Sequence, residues 1–151
     1  MSLTLKFGYD DLVRQAKSEV ESLPPVLAMD TMEESDGQAV IIDVRDVREL
    51  QRDGCIPGSY HVPRGLLESW ADPESDYFKP VFGEGKKLFI CCASGRRSAL
   101  AGQTLQQMGF DRVFNMDGGF AVWKLLDGPV SDFDAGEHID LFDPKDQLVE
   151  L

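Results

Sequence analysis

A chain of 151 residues, 42% hydrophobic and 28% charged, fits one globular domain that buries roughly two thirds of the surface its unfolded chain exposes. Its 27 acidic and 15 basic residues give a net charge of −12, which argues against nucleic acid or an anionic membrane as partner. Three cysteines do not make a disulfide framework, the N-terminus Met1-Ser-Leu-Thr-Leu-Lys-Phe7 lacks the apolar core of a signal peptide, and no apolar run approaches membrane length. The expectation is a reduced, cytoplasmic protein. Two histidines and no Cys-x-x-Cys leave no metal-ligand spacing.

Tyr9 to Leu23 carries Tyr9, Leu12, Val13, Ala16, Val20 and Leu23 as the stripe of an amphipathic helix, with Asp10 as N-cap and Pro24-Pro25 as its end. Val26 to Ala28 reads as a short strand, and Thr31-Met-Glu-Glu34 as the capping box of a brief helix closed at Asp36-Gly37. Ala39 to Val44, continuous and β-branched, is a strand buried on both faces. Asp43 and Arg45 fall at its C-terminal end, the end that lines the ligand crevice in parallel α/β sheets. Val47 to Arg52 is a short helix, Gly54-Cys-Ile-Pro-Gly58 a turn with Cys55 half-buried, Ser59 to Val62 a strand, and Arg64 to Ala71 a helix. Asp72 to Gly85 is a long connection whose Tyr77, Phe78 and Phe82, with Trp70, read as cover for the core.

Leu88 to Ile90 is a buried strand, Ala99 to Met108 a helix stopping at Gly109, and Arg112 to Met116 a last strand. Asp117-Gly118-Gly119 turns sharply into a helix from Phe120 to Leu126, with Trp123 as packing anchor. This alternation predicts an α/β fold, an open and mainly parallel sheet with helices on both faces. Residues 131–151 hold seven acids against Lys145, yet also Phe133, Ile139, Leu141, Phe142, Leu148, Val149 and Leu151. That is too apolar for a solvated charge run, so the segment is expected to drape over its own domain or a neighbour, with His138 on the surface. The chain divides into a helical extension (1–23), a single domain (24–130) and an acidic tail (131–151).

The densest chemistry lies in Leu88-Phe-Ile-Cys-Cys-Ala-Ser-Gly-Arg-Arg-Ser98. A loop between strand and helix aims backbone N–H groups inward, and the helix N-terminus adds partial positive charge. A thiol in such a loop is expected to ionise more readily than free cysteine.

Cys92-Ala-Ser-Gly-Arg-Arg97-Ser98 resembles the active-site loop of the rhodanese family, in which a cysteine carries a transferable sulfur. Ile41-Ile-Asp-Val-Arg45 followed by Gly54-Cys-Ile-Pro-Gly58, and Asp117-Gly-Gly-Phe-Ala-Val-Trp123, match further family motifs in the family's order. The closer likeness is to bacterial single-domain members with a leading helix and the run Pro63 to Ser75. The resemblance implies a rhodanese-like sheet of five strands and sulfurtransfer without a cofactor. Cys92 would be the nucleophile, and Ala93, Ser94, Gly95, Arg96, Arg97 and Ser98 would form the loop that binds substrate. Asp43 and Arg45 would support them, Asp43 being the first candidate to brace Arg97. The implied partners are a small anionic sulfur donor and a thiol or protein acceptor, and a homodimer stays open. Many family members have histidine where Cys55 stands, so Cys55 is a departure that could serve as a resolving thiol. Ala93 leaves the first loop position uncharged, which weakens the case for thiosulfate as the physiological donor.

Two reading frames coexist. Cys92 to Arg97 is C-x4-R, the rhodanese spacing, whereas Cys91 to Arg97 is C-x5-R followed by Ser98, the spacing of cysteine-dependent phosphatases, which makes a phosphatase or arsenate reductase using Cys91 the alternative. Cys91 continues the strand Leu88-Phe-Ile90, and Ile90 stands where those phosphatases usually have histidine, which favours Cys92. A third reading is a persulfide-carrying or protein-binding module with little turnover.

Overall fold

The computed structural model describes residues 2–143. Strands β1 (Glu21–Leu23), β2 (Ala39–Asp43), β3 (Tyr60–His61), β4 (Lys87–Cys91), β5 (Val113–Met116) and β6 (Ile139–Asp140) form one sheet in the order β1-β5-β4-β2-β3-β6. Every pairing is parallel, so all strands deliver their C-terminal ends to one edge. The helices are α1 (Tyr9–Glu19), α2 (Pro25–Glu34), α3 (Val47–Asp53), α4 (Leu67–Ala71), α5 (Arg97–Met108) and α6 (Gly119–Leu125).

Strand alternation sorts the core into two layers. Val40, Ile42, Leu88 and Ile90 join Leu67, Trp70, Ala101 and Leu105 on one face, where α4 and α1 pack against α5. Ala39, Ile41, Phe89 and Cys91 join Ala28, Phe120 and Trp123 on the other, where α2 packs against α6. The open parallel α/β sheet with helices on both faces is therefore the architecture that the sequence alternation predicts. Trp70 and Phe82 lie within the first layer, with Tyr77 and Phe78 packed against it, and Trp123 anchors the second.

Several local expectations are corrected. The first helix ends at Glu19, and Glu21 to Leu23 pairs instead with Phe114 to Met116. Val20 leaves the helix in extended conformation and sits against Gly102, where a Cβ would approach its Cγ1 to 3.1 Å. The cap of α1 is Gly8, whose N–H donates to Asp11 at 2.9 Å, so Asp10 is a first-turn residue. Val26 to Ala28 is helix, not strand. Pro25 occupies the first turn of α2, where its missing N–H has no helical partner to lose. Thr31 lies inside that helix and donates to the Leu27 carbonyl at 2.7 Å. Arg64 to Ala71 divides into a 3-10 turn, Arg64–Leu66, and the short α4.

Among the described residues the sheet has six strands where five were expected. The extra edge comes from the acidic segment, whose Ile139 donates its N–H to Ser59 at 2.7 Å while Glu137 accepts from Gly58 at 2.8 Å. Residues 131–143 thus lie on their own chain, and His138 stacks on Phe133 with ring centroids 4.9 Å apart. Leu148, Val149 and Leu151 lie outside the described residues. No helix among the described residues is long and apolar enough to cross a membrane.

Candidate active site

β4 ends at Cys91 and α5 begins at Arg97. Alternation sends the two adjacent cysteines to opposite faces of the sheet, Cys91 into the layer with Ile41, Phe89 and Phe120, Cys92 into the layer with Ile42, Ile90 and Ala101. Cys91 is fully buried. Burial, reinforced by the Asp43 charge, pushes its thiol well above the ordinary range, and its Sγ faces the Cys92 carbonyl at 3.5 Å.

The sulfur of Cys92 meets donors instead. Gly95 N–H reaches it at 3.2 Å and Ser98 N–H at 3.3 Å, and Ser98 Oγ lies 3.3 Å away. The loop therefore curls round its own sulfur with N–H groups inward, at the start of a twelve-residue helix whose dipole adds positive potential. The outward carbonyls are held by α6: Phe120 N–H donates to Cys92 at 2.8 Å and Ala121 N–H to Ala93 at 3.1 Å.

This curl depends on two glycines. Gly95 has φ +89°, and a Cβ there would come within 2.9 Å of Gly118 N. Gly119 has φ +60°, and a Cβ there would overlap the Cys92 carbonyl and lie 2.9 Å from the Ala93 carbonyl carbon. The Asp117-Gly118-Gly119 turn and the cysteine loop are thus packed backbone against backbone.

Asn115, buried on β5, closes the arrangement. Its Oδ1 accepts from Ser98 Oγ at 2.6 Å, and its Nδ2 donates to Gly95 O at 3.1 Å and Ser22 Oγ at 3.2 Å. Ser98 donates its hydroxyl hydrogen to Asn115, which leaves Ser98 Oγ free to accept a hydrogen bond from the Cys92 thiol.

Arg97 does not pair with Asp43. It grips Glu49 of α3 through both terminal nitrogens, 2.8 Å to each oxygen. Hydrogen bonding to Arg97 holds the Glu49 carboxyl below its usual range, and the same contact raises Arg97. Asp43 is already taken by Arg45, two residues on, through contacts of 2.8 to 3.1 Å with both side chains buried. Burial pulls Arg45 down, and the hydrogen bonds and charge of Asp43 outweigh it. Arg45 also donates to Gly54 O at 2.9 Å and lies 4.1 Å from the Phe120 ring centroid. Asp43 and Arg45 thus brace the end of β2 and the helix behind the loop.

The other loop residues divide. Ser94 is exposed and Ala93 half-buried. Arg96 turns to α1, where it forms an ion pair with Asp10 and lies 4.7 Å from the Tyr9 ring centroid. Cys55 is fully buried, not half-buried, and burial raises its thiol above the usual range. It is bonded to Ser131 in both directions, at 2.8 and 2.9 Å, and all three cysteines are free. Among the described residues, no group of three histidine, cysteine or acidic side chains could hold a metal ion.

A family model for the rhodanese-like domain matches residues 28–126. The chain belongs to the rhodanese-like domain family. A Rhodopseudomonas palustris protein of unknown function, suggested to be a tyrosine phosphatase, superposes with a TM-score of 0.82 at 43% identity, covering 87% of this chain and 99% of that one. The polysulfide-sulfur transferase homodimer of Wolinella succinogenes gives 0.61 at 30% identity, covering 80% and 84%. YrkF of Bacillus subtilis, whose name proposes a sulfur carrier, is 32% identical over 109 residues, 70% of this chain and 54% of that protein. The chain spans between about half and two thirds of the length of the curated relatives it matches.

Within this rhodanese-like domain three contacts escape the sequence reading. Glu49 reads as the third residue of a capping box opened by Asp46, a role it also fills by accepting from Asp46 N–H at 3.0 Å. Asn115 is legible only as a polar residue inside the apolar run Val113 to Met116. Asp10 and Tyr9 carry no signal toward the loop, since their contact with Arg96 arises from packing of α1 on α5.

Proposed function

We infer that this rhodanese-like domain moves a sulfane sulfur from an anionic donor to a thiophilic acceptor through a persulfide on Cys92. The observation that carries the reading is the pair of backbone N–H groups on Cys92 Sγ, 3.2 and 3.3 Å away. They are placed to stabilise negative charge, first on the thiolate and then on the persulfide.

With thiosulfate as donor, the Cys92 thiolate attacks the outer sulfur. An Sγ–S bond forms, the S–S bond of thiosulfate breaks, and sulfite leaves with the electron pair. A nucleophile such as cyanide or a thiolate then attacks the terminal sulfur, and the Cys92 thiolate departs with the electrons of the Sγ–S bond. Arg97 is paired with Glu49 and Arg96 with Asp10, so the positive potential that an anionic donor meets comes from the loop N–H groups and the start of α5. The reading assigns this chemistry to residues 24–130, in a cytoplasmic setting where free thiols persist. A homodimer is supported by the Wolinella neighbour.

The carrier reading, persulfide without fast turnover, is favoured by the likeness to YrkF. The C-x5-R reading on Cys91 is favoured by the Rhodopseudomonas neighbour. Against it stands the direction of Cys91, which lies on the sheet face away from the loop N–H groups that meet Cys92 Sγ; burial does not separate the two, since Cys92 is itself only 1% exposed.

Intact-mass measurement after thiosulfate, then after cyanide, tests the proposal. The expected result is the gain of one sulfur atom and its loss to cyanide as thiocyanate over many turnovers. Uptake without turnover selects the carrier. Hydrolysis of a phosphotyrosine ester without sulfur uptake selects the Cys91 chemistry.

A further inference from the structure

We propose that Asp10, in the first turn of α1, competes with the incoming anion for Arg96, so that the N-terminal helix sets how readily the cysteine loop admits an anionic donor. The proposal rests on the sulfurtransfer reading for the identity of that anion and on geometry for everything else.

The two loop arginines are not equivalent. Arg97 is committed to Glu49 by a bidentate fork whose carboxylate side chain is only 18% exposed. Arg96, the residue before α5, is held by Asp10, whose side chain is 74% exposed, the guanidinium itself being 41% exposed. An ion pair that open to water exchanges readily for another anion. Arg96 is therefore the loop cation with a displaceable partner. The Tyr9 ring, 4.7 Å from the guanidinium carbon, supports the charge whichever anion it faces.

The helix that carries Asp10 is fastened on both sides of the loop. Val13 and Ala16 are buried and Val20 is seated over Gly102 of α5. Gln103 of α5 donates to Glu19 at 2.7 Å, and Lys17 reaches Asp117 of the glycine turn at 3.9 Å. The helix thus holds the backbone of Asp10 in place while its carboxylate stays exposed, and an arriving dianion gains Arg96 only by displacing that carboxylate. An uncharged donor has nothing to gain from that exchange.

The test measures the sulfate concentration that half-protects Cys92 from iodoacetamide at low ionic strength, with thiosulfate kinetics alongside. Asp10→Asn is expected to lower the half-protecting concentration by about two- to fivefold, the range of an exposed ion pair. KM for thiosulfate should fall by the same factor with kcat unchanged, and KM for an uncharged organic trisulfide should not move. In about 1 M salt, where the Debye length is about 3 Å, the difference should vanish. Arg96→Ala should weaken sulfate protection and make the Asp10→Asn change silent. An unchanged or raised half-protecting concentration in Asp10→Asn, or a gain that persists in the Arg96→Ala background, would overturn the proposal. The sulfate readout needs no turnover, so failure of the wild-type protein to take up sulfur would count against sulfurtransfer alone.

Discussion

Arg97 gives its two terminal nitrogens to the two carboxylate oxygens of Glu49, each at 2.8 Å, and this fork joins the first turn of α5 to the first turn of α3. It sets the outer wall of the cysteine loop. Glu49→Gln keeps the shape and removes the charge, so about 1–2 kcal/mol of stability should be lost, a fall in Tm of about 2–8 °C by thermal melting. The persulfide-forming rate should drop about tenfold or more, because a loosened wall misplaces the loop donors.

The same pair makes a pH prediction. The Glu49 carboxyl is held below its usual 4.5 by hydrogen bonding to Arg97. Its stabilisation is therefore fully present at neutral pH and is lost as pH falls below that usual value through the depressed one. Melting temperature followed from pH 7 to pH 3 should fall less steeply in Glu49→Gln than in the parent protein. Parallel curves would show that the fork contributes nothing to acid sensitivity.

Ser98→Ala removes a hydroxyl that donates to Asn115 at 2.6 Å and lies 3.3 Å from Cys92 Sγ. Asn115 Oδ1 is left buried without its donor, at a cost of about 1–3 kcal/mol. The backbone N–H of Ser98 stays, so sulfur loading should slow without being abolished. Loading followed by intact mass at several donor concentrations checks both points.

Gly119 and Gly37 separate backbone strain from collision. Both have positive φ, +60° and +84°, but a Cβ at Gly37 meets nothing within 4 Å, whereas at Gly119 it runs into the carbonyls of Cys92 and Ala93. Gly37→Ala should cost about 1 kcal/mol. Gly119→Ala should cost roughly 2–4 kcal/mol and abolish sulfur loading in the fraction that folds. Chemical denaturation of the two variants gives the comparison.

Ending the chain at Ser131 removes β6 and leaves β3 an open edge. The Cys55–Ser131 bridge is retained. Tm should fall by several degrees, while the loading rate at 20 °C should stay within about twofold, because the described loop contacts come from residues before Val122.

The sequence shows the strand-loop-helix from Leu88 to Met108 because its signals are local: an apolar run, then helical spacing, then Gly109. It fails at Pro24-Pro25, where the same proline pair can end one helix or begin the next. Val26 and Leu27, 45% and 43% exposed in α2, form an apolar run too short to separate strand from helix. Glu21 to Leu23 becomes a strand through pairing with β5, a partner more than ninety residues away. The brace of Arg97 has the same character. Asp43 lay at the right end of the right strand, but Arg45 stood two residues off and took it. Glu49 reaches the loop only because α3 folds back across the end of β2, which no spacing in the sequence records.

The central claim is that Cys92 and not its neighbour carries the sulfur. The most direct measurement loads the protein with thiosulfate, traps the persulfide with iodoacetamide, and maps the modified peptide in the parent protein and in Cys91→Ser, Cys92→Ser and Cys55→Ser. The expected result is the extra sulfur on Cys92 in the parent, retained in Cys91→Ser and Cys55→Ser and absent from a folded Cys92→Ser. Extra sulfur on Cys91, or loading that survives in Cys92→Ser, would contradict the assignment.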